Sequence, residues 1–171
     1  MSTYWTIQSE DKWKEIQEKG CLIGNPEFIY PEFVDAYNWL KKRMKEKLPN
    51  YNNEYPIWLW IDRPDLRKSG HLEAGEKGIL LKIDIEDNRV LLSDFQAWHF
   101  VLNKSYFDLE NIENDNSDYT QFELEKSWEL IFDIDYLARH PNWGEKECTL
   151  QGVTNHIKLN EISLVKKFTA R

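Results

Sequence analysis

The sequence predicts an α+β fold: one domain built on a mainly antiparallel sheet with flanking helices. Three observations carry this. Strand-like runs rich in β-branched and aromatic residues are mixed along the chain with helical apolar stripes, rather than alternating strictly as in a doubly wound fold. The closing strand signals follow one another at hairpin-like spacing. The 171 residues, 41% of them apolar and 30% charged, make one domain with a sizeable core, and neither a repeat nor a Pro/Gly/Ser-rich linker divides them.

The elements follow in order. Tyr4-Trp5-Thr6-Ile7 opens a strand over 4–8. Ser9 is placed to cap a helix over 10–19, with Glu10 and Asp11 in its first turn, Trp13 and Ile16 on its apolar face and Gly20 to end it. Pro31 opens a second helix over 32–47, on which Phe33, Tyr37, Leu40 and Met44 form an apolar stripe. The lysines and arginine from Lys41 to Lys47 read as a solvated face, with a phosphate-facing patch as the alternative. Residues 57–61 form a strand with Trp58 and Trp60 on one face and Ile57, Leu59 and Ile61 on the other, so it is central or covers a pocket. Strands follow over 79–85 and 89–92. Asp94 then caps a helix over 94–102 and is placed to accept a second hydrogen bond at the sheet edge. The Asn-rich acidic stretch around 108–118 reads as an exposed insertion, followed by a helix over 120–132 and strands over 148–157 and 163–168. Gly152 marks a bulge or a close approach within its strand.

Charge narrows the function classes. The net charge is −8, and all of it lies in residues 103–147, with twelve acids and four bases; the remainder is balanced. A nucleic-acid partner is disfavoured by this balance. No secretory leader and no apolar run of membrane-spanning length is evident, so the expected setting is cytoplasmic, with Cys21 and Cys148 reduced.

Few motifs carry chemistry. His71, His99, His140 and His156 and the two cysteines show no zinc spacing, so no metal is expected. There is no nucleophile elbow, Walker loop or dinucleotide fingerprint. Asp84 with Glu86, and Asp133 with Asp135 if that stretch is extended, are paired acids of the kind that do acid–base work, or simply solvated strand faces. With eight tryptophans in the chain most must be core, yet Trp60 with Arg63 just beyond it suits a planar ring and an anionic group. Gln8, Gln151 and Asn155 are amides on strands that otherwise read as buried, and a polar pocket is one way to satisfy them.

Trp5-Thr6-Ile7-Gln8 with Trp13 and Gly20, Tyr55-Pro56-Ile57-Trp58-Leu59-Trp60, Leu91-Leu92-Ser93-Asp94-Phe95 with Trp98, Ser127-Trp128, and Leu150-Gln151-Gly152-Val153-Thr154 through Phe168 resemble, in order, the bacterial and phage domain of unknown function numbered 3841. That resemblance implies no activity. A looser one, of a strand running at once into a helix and then a glycine, is to ADP-ribosyltransferase-like domains. It implies a pocket for NAD or a related nucleotide lined by Thr6, Gln8, Trp60, Arg63 and Gln151, with Glu147 the candidate catalytic acid. An anion would sit on the backbone N–H groups at the helix start, Ser9 to Lys12. Gln151 departs from the glutamate of such domains, and an amide cannot act as general base. The alternative is a non-catalytic inhibitor of the counter-defence type, docking its acidic segment 103–147 on a basic protein. A third reading has single-stranded nucleic acid stacking on tryptophan near Lys41–Lys47 and Arg67–Lys68. Gln8 and Gln151 meeting in one pocket favours the nucleotide; their lying on opposite faces of the sheet favours the docking protein.

Overall fold

The computed structural model describes residues 1–111, 118–144 and 149–171. Its centre is a six-stranded sheet of order β5-β6-β3-β1-β4-β8, in which every pair is antiparallel. The strands are β1 Ser2–Ser9, β3 Ile57–Trp60, β4 Lys77–Ile85, β5 Leu91–Asp94, β6 Leu150–Thr154 and β8 Ile162–Thr169. None of the pairs is a tight hairpin, contrary to the spacing argument, because each partner strand is returned by a long excursion. β2 Cys21–Ile23, absent from the sequence reading, forms a separate two-stranded sheet with β7 His156–Lys158. The expected strand 148–157 thus breaks at Asn155, and its two halves serve different sheets.

The helices are α1 Glu10–Lys19, α2 Val34–Lys47, α3 Phe95–Leu102, α4 Gln121–Trp128 and α5 Ile134–Arg139. α1 is framed by local chemistry: the Ser9 side chain accepts from the Lys12 N–H, and Gly20 takes the left-handed conformation at φ 75°. α2 starts later than expected, since Pro31–Phe33 is a 3-10 turn. Residues 129–132 are 3-10 rather than helix, and Asp133, read as one of a pair of strand carboxylates, instead caps α5. Asp94 fills both of its expected roles. Fully buried, it accepts from the Ala97 N–H at 2.7 Å and from the Thr149 N–H at 3.1 Å.

The sheet divides two apolar clusters. Tyr4, Ile57, Leu59, Ile79, Leu81 and Ile83 face Ile16 of α1 and the small sheet with Leu22 and Ile157. Leu91 and Val153 face α2 to α5, whose Trp39, Met44, Trp98, Trp128 and Leu137 fill the other side. Gly152 is a close-approach site: a Cβ there would lie 2.5 Å from Val90 Cγ1. Leu109, within the stretch expected to be exposed, is 2% exposed and part of the second cluster. Residues 112–117 of that stretch lie outside the described residues. No described helix is long and apolar enough to cross a membrane.

Candidate functional site

The sheet is not evenly knit. β1 follows β4 along its whole length, from Ser2 against Ile85 to Ser9 against Gly78. Toward β3 it has one partner pair only, Trp5 with Trp60. Continuing that register would set Thr6 against Leu59, Ile7 against Trp58 and Gln8 against Ile57, but the strands part instead. The backbone groups of β1 that point toward β3 beyond Trp5 therefore have no ladder partner, and a sheet edge is opened inside the sheet.

A cavity of about 910 Å³ fills this parting. Its walls are Thr6–Ser9 of β1, Tyr55–Trp58 at the start of β3, Tyr37 of α2, the 22–29 segment and the 70–76 loop. The 22–29 segment is held tightly: a Cβ on Gly24 would lie 2.4 Å from the Tyr55 carbonyl oxygen. Phe28 stands at the cavity, 81% exposed.

Of the residues expected to form one pocket, Thr6, Gln8 and Trp60 line this cavity. Gln8 Nε2 donates to Thr6 Oγ1 at 3.1 Å, leaving the Gln8 carbonyl oxygen without a donor among the described residues. Gln151 and Arg63 are elsewhere. Gln151 is in register with Trp60 and Ser93, and Trp60 with Trp5, so these four side chains share the face opposite Thr6 and Gln8. The expected meeting of Gln8 and Gln151 does not occur, because the β1–β3–β6 register gives them opposite parity. Gln151 is buried, with Nε2 3.4 Å from Ser93 Oγ, and the Arg63 guanidinium sits 5.5 Å from the Trp5 ring centroid. Glu147 and Cys148 lie outside the described residues, and Cys21 is a half-buried free thiol.

The anion site expected at the start of α1 is already compensated. Ser9 caps the Lys12 N–H, and Glu10 and Asp11 occupy the first turn. Lys12 Nζ pairs with Glu15 at 3.1 Å, and Lys19 pairs with the same carboxylate at 2.7 Å. The hydrogen bonds from Lys19 and then Lys12 hold the Glu15 carboxyl below its ordinary range. Of the carboxylates lining the cavity, Asp11 is paired with Lys14 and Glu15 with Lys12 and Lys19, while Glu73 and Glu76 have no ion pair among the described residues, so the field at their end favours positive or neutral ligands. His71 Nε2 lies 2.9 Å from the Asp65 carbonyl oxygen. A carbonyl only accepts, so His71 Nε2 is the donor in that contact. Among the described residues no three His, Cys, Asp or Glu side chains gather as a metal site.

Tyr37 is the site residue the sequence reading missed, because its helical spacing marked it as core. Its ring meets Trp58 and Trp98 edge-on, and its hydroxyl accepts from Trp58 Nε1 at 3.1 Å. Burial pushes its phenol up, so it stays protonated. Much of the basic face of α2 is engaged by its own fold. Lys41 lies over Tyr55, Lys47 over Phe132, and Arg43 binds Glu129 and Glu46.

The family model described as Domain of unknown function (DUF3841) matches residues 3–125. That span contains every wall of the cavity and stops short of Gln151 and Glu147. No curated protein and no solved structure matches the chain.

Proposed function

The chain belongs to that family, which brings no activity with it, and we propose that it binds NAD or a related nucleotide by the planar ring end, in the cleft between β1 and β3. The single observation behind this reading is the parting of the two strands. It presents backbone donors and acceptors and the Gln8 amide to a space of about 910 Å³, which is ligand-sized. Trp58 and Trp60, whose side chains belong to the other face of the sheet, border the cavity through the parting, and Glu73 and Glu76 complement a positively charged pyridinium. The same carboxylates repel phosphates, so the diphosphate is directed out of the cleft toward solvent. No transfer reaction is part of the proposal: Gln151 is an amide, on the other face of the sheet, and cannot accept a proton as a base.

Calorimetry and thermal shift with NAD, nicotinamide and ADP test this. A ligand at a hundred times its Kd stabilises by about 2.7 kcal/mol, a rise of roughly 5–10 °C in Tm for a chain this long. NAD and nicotinamide are expected to bind and ADP to bind more weakly, with Gln8→Ala reducing affinity while the fold persists. No heat from any of them at millimolar concentration removes the nucleotide reading.

The opposed faces of Gln8 and Gln151 favour the second reading, a non-catalytic acidic protein docking on a basic partner, and that reading has an observation of its own. A groove of about 700 Å³ carries Asp108, Glu123, Glu129 and Asp133, with Lys126 the cation among its described lining residues and Arg43 paired to Glu129 from outside it. Its charge suits a Lys/Arg-rich partner segment. A basic peptide that binds with an affinity falling steeply with salt supports it; a salt-independent or absent signal does not.

A further inference from the structure

We infer that the Tyr37 hydroxyl is the donor that selects ligands bearing a carbonyl oxygen, an inference that rests on the cleft being the ligand site. The hydroxyl accepts one hydrogen bond, from Trp58 Nε1 at 3.1 Å, and its own hydrogen has no acceptor among the described residues. A phenol both donates and accepts, so the bond from the indole leaves the O–H free to point elsewhere. Tyr37 lines the cavity, and the edge-on contacts of its ring with Trp58 and Trp98, at 6.3 and 5.7 Å, fix where that hydroxyl stands. It is therefore a preset donor rather than a mobile one, and it remains neutral because burial disfavours the phenolate.

The complementary partner is a neutral acceptor on a flat ring. A carboxamide suits this donor, because its oxygen accepts from the Tyr37 hydroxyl without bringing a negative charge. A carboxylate in the same place would meet Glu73 and Glu76, which have no ion pair among the described residues. The selectivity that follows is for aromatic amides over both the bare ring and the corresponding acid.

The experiment measures nicotinamide, thionicotinamide, nicotinate and 3-methylpyridine by calorimetry on the full chain and on Tyr37→Phe. In the wild type, thionicotinamide, whose sulfur is a poor acceptor, is expected to bind about tenfold more weakly than nicotinamide. Nicotinate and 3-methylpyridine are also expected to bind more weakly. Tyr37→Phe is expected to weaken nicotinamide by about tenfold while leaving 3-methylpyridine within about twofold. Equal binding of nicotinamide and thionicotinamide by the wild type overturns the inference without any variant. So does a Tyr37→Phe change that is the same for nicotinamide and 3-methylpyridine. If the wild type binds none of these probes or NAD, the cleft reading fails and this inference fails with it; binding without discrimination sinks the Tyr37 role alone.

Discussion

Replacing Gly24 by alanine places a methyl group 2.4 Å from the Tyr55 carbonyl oxygen, 2.7 Å from the Tyr55 carbonyl carbon and 2.9 Å from the Pro56 carbonyl oxygen. All three are backbone atoms, so no side-chain rotation relieves the overlap. Ordinary contact begins at 3.4 Å, and the 22–29 segment and the Tyr55–Pro56 backbone must separate by about 1 Å to reach it. Ile57 follows directly and is 3% exposed at the head of β3, so the shift is transmitted into a packed strand. Overpacking of this kind costs about 1–3 kcal/mol, which lowers Tm by roughly 2–12 °C for a chain this long. Because both displaced segments are cavity walls, ligand affinity should fall with stability. Gly20→Ala is the control. A Cβ at Gly20 meets nothing within 4 Å, and its cost of about 1 kcal/mol comes only from the left-handed φ of 75°, leaving the cavity unaltered. Urea denaturation gives both stabilities, and calorimetry with NAD gives the affinities. A Gly24→Ala protein as stable as the parent, with unchanged affinity, refutes the close-approach argument.

Other perturbations test other parts of the fold. Asp94→Ala strands the buried N–H of Ala97, the cap of α3, and removes the partner of the more exposed Thr149 N–H just before β6, and should cost about 1–3 kcal/mol by urea denaturation; a loss under about 0.5 kcal/mol means the cap is not what secures the start of α3. Burial alone pushes the Glu161 carboxyl up, but hydrogen bonds from Arg89 and the Lys158 N–H outweigh it and hold it below its usual value. A carboxyl lowered in the folded state adds stability above the unfolded pKa of about 4.3, lost as pH falls through the folded value. The Glu161→Gln variant should therefore show a smaller stability loss on acidification below about pH 5, and a profile superimposable on the parent's argues against the pair. Hydrogen exchange checks the parted strands. The amides of Thr6–Ser9 that face β3 should exchange faster than those bonded to β4, and slow when NAD is bound; uniform protection along β1 means the sheet is closed there.

The parts of this protein legible in the sequence are those set by neighbours along the chain. Ser9, the acids after it and Gly20 frame α1 because capping satisfies backbone groups within one turn. Asp94 announces α3 for the same reason. Trp58 and Trp60 share a face, and Ile57 and Leu59 the other, because a strand alternates with a period of two. The α+β class follows from the mixture of such signals, whereas the antiparallel sense expected from hairpin-like spacing is reached without a tight hairpin in the sheet; a family match over residues 3–125 agrees with the resemblance read from the motifs.

Relations between strands were decided only in three dimensions. Parity within β1 and within β6 is local, but whether Gln8 and Gln151 meet depends on the register of β1 on β3 and of β3 on β6, which no local residue pattern specifies. β2 and β7 are three-residue strands, too short to show a period, and exist because each supplies the other's hydrogen bonds. Tyr37 looked like core because spacing reports the face of a helix and not what a hydroxyl at its end will find. The parting of β1 from β3, on which the site depends, is an absence of pairing between segments some fifty residues apart in the chain. Local propensity says that each segment is a strand. It cannot say where two strands cease to be neighbours, because that is fixed by what packs above and below them.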